Sequence, residues 1–310
     1  MGRTNDIPGS EAFTKIKPLR KGWSGDKKYR VETTGGRQLL LRLADIKEYD
    51  QKKKEYEMMG RVAACGIPTP APVEFGVCHG GKNVYSLMTW IEGEDAGSIL
   101  PKMPEKEQYL LGKKAGALQR TIHEIPVQTD AEDWSVWFWR RVREKLDLYS
   151  THAHELAGAA PCADYLLQNR NLLEGRPQVF YHGDLNPTNI ILMPNGGVAA
   201  IDYCTRDRHG TDPVREFCTI PWGKNPNPHY YTGVLDGYYE GISEDEFLAE
   251  LAVLAYYFAY EAVRAIVDSR DPHCGMKKEC RKHMKNVLRW YDGMKNPVPS
   301  WYLKELKYAN

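Results

Sequence analysis

The chain has 310 residues, 42% hydrophobic and 27% charged with a formal net charge of +1, which is typical of a globular protein long enough for two packed lobes. The first ten residues lack the apolar segment of a signal peptide, and no run approaches the roughly 18 apolar residues of a membrane span. Seven cysteines without a paired framework indicate reduced thiols, so we expect a cytoplasmic protein with no membrane association.

The first ninety residues predict a small sheet with one helix. Residues 29–32 and 38–43 are apolar-rich runs separated by a glycine-bearing turn, which predicts a hairpin. Residues 45–64 have a helical composition and end at a glycine and a proline, and residues 73–77 and 83–88 follow as strands. We therefore expect one helix between two pairs of strands.

After residue 92 the composition changes to long helical segments interrupted by short strands. An Asn-Gly turn at residues 195–196 predicts a β-hairpin within this part. The sequence thus predicts an α+β fold, with a β-rich domain joined at residues 89–93 to a larger and mainly helical domain. The predicted helices are residues 105–123, 133–150, 161–173 and segments from about 230 onward, and the predicted strands are residues 179–182, 189–193 and 198–202.

The segment His182-Gly183-Asp184-Leu185-Asn186-Pro187-Thr188-Asn189 carries the clearest chemical signal. Asp184 stands five residues before Asn189, and a second aspartate, Asp202, follows the predicted hairpin. This spacing matches the catalytic and metal-binding segments of protein kinases. Asp184 is therefore the candidate catalytic base for a substrate hydroxyl, and Asn189 and Asp202 are candidate oxygen ligands of Mg²⁺. His182 is interpreted mainly as an orienting residue, with a direct catalytic role as the alternative.

The segment from Tyr181 to Ile190 resembles the signature of the aminoglycoside phosphotransferase family, a relative of the protein kinases. Residues 66–70, Gly93 and Asp212-Pro213 also resemble positions common in that family. The resemblance implies a bilobal protein-kinase-like fold and transfer of a phosphoryl group from ATP or GTP, with Mg²⁺, to an alcohol group of a small molecule. It further implies that residues 1–91 bind the nucleotide, and that residues 92–310 hold the catalytic loop, the metal site and the acceptor-binding helices.

The same resemblance implies a nucleotide clamp in the first domain. Arg42, inside an apolar run, matches the basic residue that holds the α- and β-phosphates, and a guanidinium keeps its charge there. Glu55 on the following helix matches the acidic partner of that cation, with Glu57 as the alternative. Ser24 and Gly25 lie in the expected phosphate-covering loop, although this loop departs from the G-x-G-x-x-G pattern of protein kinases.

Residues 88–91 resemble the hinge that holds the nucleobase. The resemblance implies that the carbonyl of Thr89 and the N–H of Ile91 contact the base. Met88 would be the bulky residue in front of the pocket behind the base. These three residues complete the expected nucleotide site.

Charge is distributed unevenly and bears on the acceptor. Residues 1–91 hold 16 Lys/Arg against 10 Asp/Glu, net +6, whereas residues 92–310 hold 26 against 31, net −5. Nine acids and two cations lie between residues 209 and 263, a segment that lines the acceptor cleft in the resembled family. Carboxylates there would attract a polycationic aminoglycoside, although some of them are expected to be helix surface. The candidate acceptor-binding acids are Glu216, Asp236, Glu240 and Glu261.

Two alternatives to an aminoglycoside kinase remain open from the sequence. Another small hydroxyl compound, such as choline or a macrolide, is the first, because residues 230–231 and 238–239 are tyrosines that could form an aromatic cage for a quaternary amine. A nucleotide-binding pseudokinase that regulates a partner is the second. The expected partners are the nucleotide and the small acceptor, in a monomer or simple homodimer.

Other charged and metal-ligand-type residues carry no functional assignment. Lys52-Lys53-Lys54 is interpreted as a solvated helix face, because no interleaved aromatic residues support nucleic-acid binding. The group Cys274, Cys280 and His283 lacks the ligand spacing of a zinc site. We expect neither nucleic acid nor a membrane as a partner.

Overall fold

The computed structural model describes residues 6–19, 25–127, 132–154, 156–204, 210–304 and 306. The chain divides into two compact units. The first unit comprises Met1–Ser98 and Pro187–Arg206, and the second comprises Ile99–Asn186 and Asp207–Asn310. Each unit is described separately below.

The first unit contains a five-stranded antiparallel sheet in the order β1-β2-β3-β5-β4. In β3 the buried side chains of Leu39, Leu41 and Leu43 alternate with less buried ones, as a strand with one apolar face requires. They pack with Val31, Tyr85 and Leu87 in the core of the sheet. The strands are β1 (Phe13–Leu19), β2 (Lys27–Thr33), β3 (Gln38–Asp45), β4 (Pro72–Cys78) and β5 (Asn83–Thr89).

Helix α1 (Tyr49–Ala64) lies between β3 and β4 in the chain and packs on the sheet. Its residues Tyr49 and Tyr56 contact the ring of Phe75 on β4, with ring centroids 5.4 and 5.3 Å apart. Gly66 follows with a positive φ of 75°, a conformation that glycine adopts at the end of a helix without steric cost. Aromatic contacts therefore hold α1 against β4.

A second, three-stranded sheet completes the first unit, with β6 (Glu94–Asp95), β7 (Ile190–Leu192) and β8 (Val198–Ala200) in that order. Gly93 has a φ of 148°, and a Cβ atom there would lie 2.3 Å from the backbone oxygen of Leu192, so only glycine fits. The hydroxyl of Thr69 donates to the carbonyl of Ala200 at 2.9 Å. Residues 187–206 thus belong to the same compact unit as residues 1–98.

The second unit is mainly helical. Helix α7 is its central element, with a capping box at Ser243 and Glu246 and an almost fully buried second half. Helices α3 and α6 approach closely because glycines face the partner backbone: a Cβ atom on Gly112 would lie 2.1 Å from the carbonyl oxygen of Tyr230. The helices are α3 (Glu105–His123), α4 (Trp134–Ser150), α5 (Ala160–Gln168), α6 (Pro228–Tyr238), α7 (Glu244–Asp268) and α8 (Lys277–Trp290), and the short α2 (Ala96–Ile99) lies at the boundary, with its first three residues in the first unit.

The predicted fold class is confirmed: a β-rich first part with one main helix and a larger, mainly helical second part. Three local predictions differ from the structure. Strand β1 was not anticipated, residues 170–173 form a short 3₁₀ helix instead of extending α5, and Val179 makes only an isolated bridge to Thr211. Among the described residues, no helix combines the length and apolarity needed to cross a membrane.

Candidate active site

In the first unit, two cations meet the aspartate predicted to bind metal. Lys28 on β2 pairs with Arg42 on β3 across the sheet, so the two side chains lie on the same face. The Lys28 ammonium lies 3.1 Å from Oδ2 of Asp202, and Nη1 of Arg42 lies 3.5 Å from Oδ1. The Asp202 side chain remains 39% exposed. Its carboxylate is therefore accessible while held next to two positive charges.

Asp26 is the buried acid of this region, with a side chain only 1% exposed. Its Oδ2 accepts hydrogen bonds from Nε and Nη2 of Arg42 at 3.0 and 2.6 Å, and the ammonium of Lys52 on α1 lies 3.0 Å from the same carboxylate. Burial raises the pKa of Asp26, but the charges of Arg42 and Lys52 outweigh burial and hold the pKa below its ordinary value. Asp26 is thus an ionised bridge between strand and helix.

The expected Arg42–Glu55 ion pair is replaced by a different arrangement. In the described part of the chain, the carboxylates that contact Arg42 belong to Asp26 and Asp202, while Glu55 contacts Lys52 at 3.2 Å. Lys52 is also more buried than a solvated helix face allows, with a side chain 12% exposed. The helix presents a lysine toward the sheet, and the acid that this lysine and Arg42 share comes from the residue before β2.

The two predicted metal ligands flank the β7–β8 hairpin in the first unit, Asn189 directly before β7 and Asp202 shortly after β8. Asn189 is buried, and its carbonyl oxygen accepts a hydrogen bond from the N–H of Ile201 at 3.0 Å. Asp202 has a φ of 59°, a left-handed conformation that is uncommon for a non-glycine residue. The pairing of β7 with β8 brings the two ligand positions to the same end of the hairpin. An amide and a carboxylate are oxygen donors of the kind that Mg²⁺ accepts.

The residues predicted to form the phosphate-covering loop and the hinge differ in their burial and hydrogen bonding. Ser24 lies outside the described residues, and Gly25 is exposed. Met88 is buried in β5, and the backbone N–H and hydroxyl oxygen of Thr89 bond to the backbone of Ala71 at 2.8 Å each. Ile91 follows β5 and is partly exposed. The predicted hinge is thus hydrogen-bonded to the residue that precedes β4.

In the second unit, the predicted catalytic loop leaves Asp184 exposed and contacts it from both sides. Its backbone N–H donates to Nδ1 of the fully buried His182 at 3.2 Å, and its Oδ1 accepts a hydrogen bond from the amide of Asn186 at 2.8 Å. Gly183 between them has a φ of 86°. His182 is therefore a buried contact of the Asp184 backbone, and the Asp184 side chain is exposed.

Glu216 anchors the backbone of the same loop. Its Oε1 accepts a hydrogen bond from the N–H of Gly183, and its Oε2 lies 2.8 Å from Nε2 of His123 on α3. Nδ1 of His123 in turn bonds to the hydroxyl of Tyr238 at 2.8 Å. Burial would raise the pKa of Glu216, but the hydrogen bond and charge of His123 lower it below the ordinary value. Glu216, predicted as an acceptor-binding acid, has its carboxylate inside the unit.

A second buried acid, Asp212, joins three segments of the second unit. It accepts hydrogen bonds from Arg176 at 2.6 Å, from the hydroxyl of Tyr257 at 2.9 Å and from the N–H of Val214 at 2.8 Å. Arg176 also pairs with Glu250 at 2.7 Å. The sequence indicated Asp212 only as a family position, and nothing in its local pattern identified Arg176 as the partner.

The other predicted acceptor acids differ in accessibility. Asp236 accepts hydrogen bonds from the hydroxyls of Tyr109 and Tyr302 at 2.8 and 2.9 Å, and burial raises its pKa. Glu261 is buried and pairs with Arg264. Glu240 has a side chain 61% exposed and pairs with Lys113 at 3.0 Å, which lowers its pKa. Of these three, Glu240 is the most accessible to a ligand.

The tyrosines proposed as an aromatic cage are packed among other side chains. Tyr230 and Tyr231 are buried, and their rings contact each other edge to face. The hydroxyl of Tyr238 bonds to His123, and that of Tyr239 donates to Glu250 at 3.1 Å. Their surfaces are therefore engaged in internal contacts.

Comparison with known proteins agrees with this fold. A model of the phosphotransferase enzyme family matches residues 15–248. Similar solved structures include aminoglycoside 2′-phosphotransferase-IIIa bound to GDP, 13% identical with a TM-score of 0.63, covering 91% of this chain and 96% of that chain. The ternary complex of APH(2″)-IIa with streptomycin and ATP is 15% identical with a TM-score of 0.58, covering 95% and 96%. Plasmodium vivax ethanolamine kinase is 11% identical with a TM-score of 0.52, covering 89% and 82%.

No curated protein sequence matches the chain. Fold and family model together define a phosphotransferase with a kinase-like fold. The chain belongs to the phosphotransferase enzyme family, which confirms the resemblance found in residues 181–190. It is thus a small-molecule phosphotransferase.

Proposed function

We propose that the protein transfers the γ-phosphoryl group of ATP or GTP to a hydroxyl group of a small cationic molecule, with an aminoglycoside antibiotic as the first candidate. The observation that carries this proposal is the exposed carboxylate of Asp184, which accepts a hydrogen bond from Asn186 while His182 accepts one from the Asp184 backbone N–H, in a loop with the kinase spacing. A carboxylate fixed in this way is positioned to receive a proton without reorganising.

In the proposed reaction each of the loop residues has one role. The acceptor hydroxyl loses its proton to Asp184 as its oxygen forms a bond to the γ-phosphorus, and the bond from that phosphorus to the nucleoside diphosphate breaks. Asn186 holds the carboxylate of Asp184, His182 holds the backbone N–H of Asp184, and Glu216 holds the backbone of Gly183. Glu216 therefore contributes in our proposal by positioning the loop, not by binding the acceptor.

The donor phosphates are assigned to the cations of the first unit. Arg42 is held by Asp26, and Lys28 lies beside it on β2, so both can bind phosphate oxygens. Asn189 and Asp202 would hold Mg²⁺, because their donor atoms are oxygens and the Asp202 carboxylate is accessible. When bound, Mg²⁺ would offset the negative charge of the phosphates. Gly25, Met88, Thr89 and Ile91 remain the proposed contacts to the rest of the nucleotide.

The acceptor assignment rests on charge. Residues 92–310 carry a net charge of −5, and Glu240 offers an exposed carboxylate among the four predicted acids. Amino groups of an aminoglycoside would be attracted by this field. The structures described above include one aminoglycoside complex and one ethanolamine kinase, so a smaller amino alcohol is the second candidate. The packing of the four tyrosines speaks against a quaternary-amine cage built from them.

An acceptor screen tests this proposal. The purified protein is incubated with ATP or GTP, Mg²⁺ and, separately, kanamycin-type aminoglycosides, choline, ethanolamine and a macrolide, and phosphorylated products are identified by mass spectrometry. We expect an aminoglycoside phosphate with wild type and none with Asp184→Asn. Expression in a sensitive bacterium should then raise the inhibitory concentration of that antibiotic. Product from ethanolamine alone would replace the aminoglycoside assignment, and nucleotide binding without any product would favour a pseudokinase.

A further inference from the structure

A cleft with a cationic rim lies in the second unit beside the C-terminal end of α7 and the first half of α8. Its volume is about 440 Å³, within the size range of sites for small molecules. Four of its nine lining residues are cations and none is an acid. The floor is formed by Leu156, Ile266 and Met284, and the cations are Arg270, Lys277, Arg281 and Lys285.

Three of these cations come from one face of α8. Lys277, Arg281 and Lys285 are spaced by four residues, so their side chains follow one another along the helix. Lys278 and Lys282 are equally exposed on the same helix but do not line the cleft. Only some of the cations of α8 therefore line the cleft.

The acids near the cleft do not neutralise this row of cations. Among the described residues, no carboxylate forms an ion pair with Lys277, Arg281 or Lys285. The nearest acids along the chain are Asp268, Asp271 and Glu279. Asp268 pairs with Lys145 at 2.9 Å, Asp271 accepts a hydrogen bond from the backbone N–H of His273 at 2.8 Å, and Glu279 is an exposed residue of α8. Like charges four residues apart destabilise a helix unless an anion lies between them.

We propose that this cleft is a second ligand site, for a small molecule that carries at least two phosphate groups on a partly apolar body. Ammonium and guanidinium groups spaced along one helix face suit several phosphate groups, and the apolar floor suits a base or similar ring. A small molecule fits better than a nucleic acid or membrane surface, because the lining is concave and only part of the positive charge of α8 enters it. The inference does not depend on the acceptor or donor proposed above.

Adenosine 3′,5′-bisphosphate is the probe, titrated by calorimetry into the full chain with the donor site occupied by a non-hydrolysable ATP analogue and Mg²⁺. We expect a dissociation constant below about 1 mM that rises with salt. Arg281→Ala should weaken binding about tenfold, and Arg281→Lys should restore most of it, because a charge-assisted hydrogen bond is lost and then regained.

Lys278→Ala and Lys282→Ala are the matched controls, since each removes one charge from the same helix outside the cleft. Their affinities should stay within about twofold of wild type, and circular dichroism should show all four variants folded. Two results would overturn the proposal: no binding at millimolar probe, or equal weakening by the control variants. Equal competition by phosphatidylserine vesicles or RNA would also overturn it, in favour of a macromolecular partner.

Discussion

Each unit of this protein buries carboxylates, but the two units use them differently. In the first unit the buried Asp26 holds Arg42 and Lys52, and next to this group the carboxylate of Asp202 stays 39% exposed. In the second unit Asp212 and Glu216 are enclosed, and both of their oxygens are hydrogen-bonded inside the unit. The comparison shows that an acid in a functional segment is a ligand candidate only if its oxygens remain accessible.

The difference has an energetic consequence. Breaking a buried ion pair by removing one partner commonly costs about 3–5 kcal/mol, whereas an exposed carboxylate contributes little to stability. Substitutions at exposed acids such as Asp184 and Asp202 should therefore alter function with little loss of stability. Substitutions at enclosed acids such as Glu216 should reduce stability first.

The largest effect is expected at Asp184. Asp184→Asn should lower kcat by at least about 100-fold and leave nucleotide affinity and the melting temperature nearly unchanged, because the amide keeps the shape but cannot accept the proton. Steady-state kinetics and nucleotide titration are the measurements. Glu240→Gln, at another exposed acid of the same unit, serves as the control and should keep kcat within about threefold. A variant with half of the wild-type turnover would show that Asp184 is not the base.

The next effect concerns Asp202 and separates metal binding from phosphate binding. Asp202→Ala should weaken nucleotide binding by at least about tenfold in the presence of Mg²⁺, because a charged metal ligand is lost. Without Mg²⁺ the same variant should bind nucleotide as well as wild type or better, since Lys28 and Arg42 lose a competing anion. Isothermal titration with and without Mg²⁺ measures both affinities. Equal affinities with Mg²⁺ would place the metal elsewhere.

Glu216→Gln tests whether an enclosed acid of the second unit acts through structure. We expect a loss of about 1–3 kcal/mol in the free energy of unfolding, because the ionised partner of His123 is replaced by a neutral amide. We expect kcat to fall as well, through the bond to Gly183, while the acceptor KM keeps its dependence on salt. Denaturant unfolding and kinetics at two ionic strengths are compared. If only the acceptor KM changed, Glu216 would be an acceptor contact after all.

Asp26→Asn sharpens the comparison within the first unit. The variant should raise the nucleotide KM about tenfold, because Arg42 and Lys52 lose the carboxylate that holds them and then repel each other. Glu55→Gln is the matched control and should change the KM by no more than about threefold, since Glu55 contacts Lys52 and not Arg42. The reverse order of effects would restore Glu55 as the residue that holds Arg42.

The sequence predicted the fold class and most strands and helices, because glycines, prolines and apolar periodicity act locally. The spacing of Asp184, Asn189 and Asp202 could also be recognised in the sequence, because the three residues lie in one continuous segment. The partners of Arg42 and Glu216 could not be predicted from the sequence. Asp26 and His123 come from distant positions, and only the sheet register and the packing of α3 bring them into contact. Strand β1 was missed because its residues are mostly exposed and alternate weakly.

The smallest expected effect comes from His283, a buried residue on α8 of the second unit. Its ring stacks on Trp222 with centroids 5.7 Å apart, and among the described residues neither ring nitrogen has a hydrogen-bond partner. Burial lowers the pKa of His283 to about 4, from an unfolded value near 6.5. Between these values the unfolded chain binds a proton that the folded chain does not, so this residue destabilises the fold as pH drops below 6.5.

His283→Phe keeps a flat ring at this position and removes the titrating group. From pH 7.5 to pH 6.0, wild type should lose about 1 kcal/mol more stability than the variant, and above pH 7.5 the difference between the two proteins should no longer depend on pH. Urea unfolding at four pH values measures both quantities. Parallel curves for the two proteins would mean that His283 gains a proton as readily in the folded chain as in the unfolded one. In that case the second unit would provide, around α8, a partner for the buried charge, as it does for Asp212 and Glu216.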